Sequence, residues 1–115
     1  MPYDGADLAR QISECFDAAY GQVADMAELG KAKAEAERAY RTAKSKRLLY
    51  EREYGKTPVS IIADVVKGYE DIALLACGRD CAEAAYDANR EALLLNKKRI
   101  DFLREQMARE WGAAR

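Results

Sequence analysis

Tyr54-Gly55-Lys56-Thr57-Pro58-Val59-Ser60-Ile61-Ile62-Ala63-Asp64-Val65-Val66-Lys67-Gly68 is the stretch at which this chain must interrupt a helix. Before it, residues 7–54 run without a proline, and after it residues 71–111 do the same. Gly55 is expected to close the first helix in the left-handed conformation that glycine adopts without penalty. Thr57 followed by Pro58 reads as a restart, with a hydroxyl for the N-cap and a ring whose fixed φ suits a first helical turn. Val59, Ile61, Ile62, Val65 and Val66 are β-branched, as in a strand, but the chain holds no second strand to pair with them. A short helix over about 58–67 is therefore predicted, between long helices over about 7–54 and 71–111.

The flanking segments carry helical periodicity. In the first, Leu8, Ile12, Phe16, Ala19, Val23, Met26 and Leu29 recur at helical spacing, continued by Ala32, Ala36, Ala39 and Ala43. Gly21 and Gly30 interrupt it, each costing about 1 kcal/mol against alanine, and one of them is expected to mark a break or a close helix crossing. Asp4 or Asp7 is placed to cap the start. In the third segment Ile72, Leu75, Arg79, Ala82, Tyr86, Asn89, Leu93, Asn96, Ile100, Leu103 and Met107 alternate in steps of three and four. A second stripe lies beside it, formed by Cys81, Ala85, Ala88, Ala92, Leu95, Arg99 and Phe102. Two adjacent stripes make a face too wide for a single neighbour.

Composition agrees. Ala, Glu, Lys, Leu and Arg make up 62 of 115 residues, the balance of long helices and coiled coils. The fold expected is all-α, a long antiparallel helical hairpin in one domain over 1–115, with a short helix at the bend. Charge supports the antiparallel sense: residues 1–30 carry net −5, 31–56 net +5, 57–95 net −4 and 96–115 net +3. Folding back at the bend pairs residue i with roughly residue 126 − i, so each block meets its opposite. That register sets Tyr40 beside Tyr86, Met26 beside Ile100 and Val23 beside Leu103. It also sets Cys15 on the order of 45 Å from Cys77, at 1.5 Å rise per residue, so no disulfide joins them.

Two helices of roughly 60–70 Å leave one stripe uncovered, so a homodimer forming a four-helix bundle, or a helical protein partner, is expected. The oligomer or partner face is assigned to Tyr86, Asn89, Leu93, Asn96, Ile100, Leu103 and Met107. Asn89 and Asn96 stand seven residues apart, as polar residues that fix register on a coiled-coil seam do. On that reading Asn89→Leu raises thermal stability and broadens the oligomer distribution.

Candidate chemistry is sparse. With no histidine and three scattered cysteines, neither a metal site nor His-based catalysis is expected, and no cofactor either. Cys77 and Cys81 lie one turn apart without further ligands and are expected to pack as small buried hydrophobes. Ser13, Ser45 and Ser60 have no histidine to activate them, and Gly30-Lys31 lacks the rest of a phosphate-binding loop. The protein is therefore expected to be no enzyme. The longest apolar run, Ile72 to Cys77, is far short of the roughly 20 residues that span a bilayer. The first residues lack a basic cluster leading an apolar block, so a cytoplasmic location is expected. The alternative function is nucleic-acid binding through Tyr40, Arg41, Lys44, Lys46 and Arg47, where cations neutralise phosphates and tyrosines, with Tyr50 and Tyr54, stack on bases. A net charge of −1 argues against it. Lys97-Lys98-Arg99 is a second basic patch, and Trp111 either caps the bundle end or meets a partner.

Gly55-Lys56-Thr57-Pro58, then Val66-Lys67-Gly68, then Glu83, Tyr86 and Arg90-Glu91, and a closing Gln106 with Arg109-Glu110-Trp111, resemble small helical proteins of bacteriophages and prophages. The resemblance covers residues 30–111. It implies a bacterial cell carrying phage-derived genes and an accessory role near DNA metabolism or phage development. It implies no catalytic residue.

Overall fold

The structure is a computed structural model and describes residues 5–113; Asp4, one of the two expected caps, lies outside them. The order is α1 (Gly5–Tyr54), a 3₁₀ turn (Val59–Ile61), α2 (Ile62–Lys67) and α3 (Glu70–Ala113), with no strand among the described residues. The fold class is all-α, a pair of long helices with a short helix between. Neither Gly21 nor Gly30 breaks α1. The chain divides into a bend unit, residues 29–86, and a terminal unit, whose described part comprises 5–28 and 87–113.

In the bend unit Tyr40, Ile62, Val66 and Ile72 form the core, with Ala43, Leu48, Tyr69, Leu75 and Ala76 packed against it. Val66 and Ile72 are fully buried. Burial of each is worth about 1.5–3 kcal/mol, which holds α2 against the two long helices. The pairing register differs from the one expected. Arg47 meets Asp71 at 3.1 Å and Glu37 meets Arg79 at 3.7 Å. Tyr86 lies against Gly30, where a Cβ would meet its ring at 3.5 Å. Tyr40 therefore stands beside Arg79 and not Tyr86. The cause is α2. It packs along the end of α1, so the first turn of α3 meets α1 at Tyr40 and Arg47, and the end of α1 runs on past that contact. Gly30 is accordingly a close-crossing glycine.

The connection closes differently from the sequence expectation as well. No described glycine has positive φ. The Gly55 N–H donates to the Glu51 carbonyl at 3.1 Å. A Cβ at Gly55 would collide with the Glu51 carboxylate and sit 2.8 Å from its main-chain oxygen, so space and not handedness calls for glycine here. The Thr57 hydroxyl does not cap the restart. It donates to Glu51 at 3.2 Å, while Pro58 takes the N-cap position without a side-chain bond. Tyr69 also donates its hydroxyl to Glu51, so one carboxylate, 8% exposed, ties the end of α1 to both sides of α2.

Two predictions arise here. Gly55→Ala should lower stability by about 1–3 kcal/mol through overpacking against Glu51. Gly78→Ala, with nothing within 4 Å of the added carbon, should raise it by about 0.5–1 kcal/mol. Urea denaturation of the two variants should give shifts of opposite sign; shifts of the same sign contradict this packing. The second concerns alkaline pH. The bond to Glu51, then burial and the Glu51 charge, raise the Tyr69 phenol above its ordinary 10.0, with Arg47 opposing. A raised phenol stabilises the fold fully below its unfolded value, and that contribution is lost as pH climbs through the folded value. Melting temperatures measured from about pH 9 upward should thus fall less steeply for Tyr69→Phe than for the parent. Equal falls would sever Tyr69 from alkaline stability.

In the terminal unit Leu8, Cys15, Ile100 and Leu103 are the buried core, with Ile12 and Met107 packed against it. Ala19 is buried too, whereas Val23 is 54% exposed. The expected pairs Met26–Ile100 and Val23–Leu103 are thus replaced by contacts of Ile100 and Leu103 with the first turns of α1. Asp7 lies in the first turn of α1, where a carboxylate complements the helix dipole, and pairs with Arg10 at 3.3 Å.

Candidate functional site

The α3 residues expected to meet a second chain are already engaged within this one. Ile100 and Leu103 are buried against Leu8 and Cys15, and Met107 packs on the same cluster. Leu93 is half-buried. Asn89 donates its Nδ2 to the Gln22 main-chain oxygen at 2.8 Å, and Asn96 donates to Gln22 Oε1 at 2.7 Å. Within the bend unit, Tyr86 fits over Gly30 with the Lys33 ammonium 4.8 Å from its ring centre. The expected oligomer face is therefore the seam between α1 and α3. A tethered helix is present at far higher effective concentration than a second chain, and so takes the best apolar stripe. The asparagines set pairing inside the chain.

The second α3 stripe stays outside except at Ala92, which is half-buried. Leu95 is 67% and Phe102 61% exposed, with Ala88, Glu91 and Arg99 exposed beside them. On α1 of the same unit Phe16, Tyr20 and Val23 are exposed, the first two with ring centres 6.4 Å apart. Trp111 is exposed as well. In the bend unit Cys77 and Cys81 are exposed free thiols, not buried hydrophobes; Cys15 alone is buried. A hydrogen bond with Cys77, ahead of its charge and of burial, raises the Cys81 thiol. The stripe that carries Cys81 turns away from α1.

The basic cluster of α1 is split. Tyr40, Arg41 and Lys44 line a groove of about 720 Å³, together with Glu37, Ser45, Leu48, Lys67, Ala76 and Arg79. Lys46 instead lines a separate hollow with Glu35, Arg38 and Thr42, and Arg47 is held by Asp71 and lies 5.0 Å over the Tyr69 ring. Tyr40 is buried, with the Arg79 guanidinium 4.3 Å and the Lys44 ammonium 5.6 Å from its ring centre. Its face is covered by cations and offers no platform for a base. Tyr50 and Tyr54 remain exposed, ring centres 5.5 Å apart.

Glu37 accepts from Arg41 Nε at 2.7 Å and faces Arg79 Nε at 3.7 Å. Asp80 bonds Arg79 at 3.1 Å and, as the largest influence, raises its guanidinium further above the ordinary value. Lys67 and Arg79 were not among the candidate site residues. Arg79 had a visible signal, as the one charge on the main apolar stripe; Lys67 had none, because only the packing of α2 brings it to the groove.

Among the described residues no group of three or more His, Cys, Asp or Glu is placed to hold a metal ion. No described helix is long and apolar enough to cross a membrane. No protein-family model, curated protein or solved structure matches the chain.

Proposed function

We propose that this is a non-enzymatic helical binding or assembly protein that works as a homodimer, joined through the outward stripe of α3. One observation carries the reading. Ala88, Glu91, Leu95, Arg99 and Phe102 are all exposed, and their spacing of three, four, four and three is the same read in either direction. Two antiparallel copies centred on Leu95 bring Phe102 over Ala88, Glu91 to Arg99 and Leu95 to Leu95. A two-fold contact requires that kind of self-complementarity, large against small and cation against anion. A partner of different sequence has no need of it.

Light scattering on a sizing column should give about 26 kDa, twice the chain's 12.9 kDa, across a range of concentrations. Glu91→Arg and Arg99→Glu should each shift the mass toward the monomer, and the two together should restore the dimer. A monomer for the parent chain overturns the reading and leaves the stripe to a different helical protein. A cytoplasmic setting and a phage or prophage origin belong to the same proposal, the second supported by the motif resemblance.

A further inference from the structure

The bend groove draws cations from all three helices: Arg41 and Lys44 from α1, Lys67 from α2 and Arg79 from α3. Glu37 is the one carboxylate among its lining residues, and it is engaged with the two arginines. Among the described residues neither Lys44 nor Lys67 has a carboxylate within ion-pairing distance, although seven acidic residues lie in positions 57–95. We propose that the groove binds a small ligand bearing two or more linked phosphates.

The ligand class follows from charge and size. Glu37 and Asp80 engage the two arginines, so Lys44 and Lys67 are left as an excess of two positive charges, which a diphosphate, with about three negative charges at neutral pH, neutralises. Lysines meet phosphates as point charges and arginines as forks, and Ser45 adds a hydroxyl donor. A volume of about 720 Å³ exceeds what a lone phosphate fills and lies in the range of small-molecule sites. Nucleic acid fits less well, because the Tyr40 face is already occupied by Arg79 and Lys44. All these residues belong to the bend unit of one chain, so binding stands apart from self-association.

Isothermal titration of the full chain with inorganic pyrophosphate at about 0.15 M salt tests this. The expected result is saturable binding at one site per chain, weakened about ten-fold by Lys44→Gln and by Lys67→Gln. Lys98→Gln, in the separate basic patch, should leave it unchanged. Absence of saturable binding overturns the proposal, as does an equal loss with Lys98→Gln, which would mean diffuse attraction. A single-stranded oligothymidylate that binds more tightly than pyrophosphate, and is also lost with Lys44→Gln, overturns it in favour of nucleic acid. Circular dichroism of each variant confirms that the helices are intact, since both lysines are outside the core.

Discussion

Leu95→Asp is expected to weaken self-association by about 100-fold or more while leaving the helical signal unchanged. At the centre of the proposed two-fold contact each substitution counts twice. Two leucine side chains lose their burial, worth about 1.5–3 kcal/mol each, and two carboxylates come face to face in their place. In the isolated chain the residue is exposed, so the same change removes no intramolecular packing. If the proposed dimer forms, light scattering should therefore report a monomer at concentrations where the parent gives twice the chain mass, with little change in a monomer's own unfolding curve. Leu103→Asp would behave differently: it lies in the buried core and should unfold the terminal unit. A Leu95→Asp protein that stays dimeric removes the outward stripe from the account.

Ile72→Ala is expected to have the largest effect on stability, a loss of about 2–5 kcal/mol. Ile72 is fully enclosed among Tyr40, Ile62 and Val66, where α1, α2 and α3 meet. Deleting its outer carbons leaves a cavity that three helices joined by short connections cannot readily close. Leu74, two residues away and 66% exposed, is the control, and its replacement by alanine should fall within about 0.5 kcal/mol of the parent. Chemical denaturation separates the two cases. Comparable losses at both positions would mean that α2 does not close the bend as described.

Much of this architecture was legible in the sequence. The helix pair, the short helix at the bend and the inward stripe of α3 from Ile72 to Met107 all follow from apolar periodicity and from where glycine and proline fall. The axial offset does not follow. A stripe of period 3.5 looks alike at every turn, so it names a face without saying how far one helix slides along another. That offset is set by α2, whose Ile62 and Val66 dock beside Tyr40 and let α3 meet α1 at Arg47. The chemistry of the turn was misread for a related reason. Gly55 and Thr57 are both common helix punctuation, yet here each answers to Glu51, whose acceptor role no local pattern announces. The groove was half legible. Tyr40, Arg41 and Lys44 share one side of α1 and could be grouped from spacing, whereas Lys67 and Arg79 join them only through tertiary packing. The partner face was assigned to the more apolar of two stripes. A tethered hairpin uses that one for itself, which leaves the less apolar stripe exposed.

The most direct test is an isotope-filtered nuclear Overhauser measurement on a mixture of labelled and unlabelled chains, which reports contacts between copies alone. Intermolecular signals are expected to join the Phe102 ring to the Ala88 methyl, and the Leu95 methyls to one another. Intermolecular signals from Ile100, Leu103 and Met107 would contradict that expectation, since they would mean that the inward stripe, and not the outward one, joins the two chains.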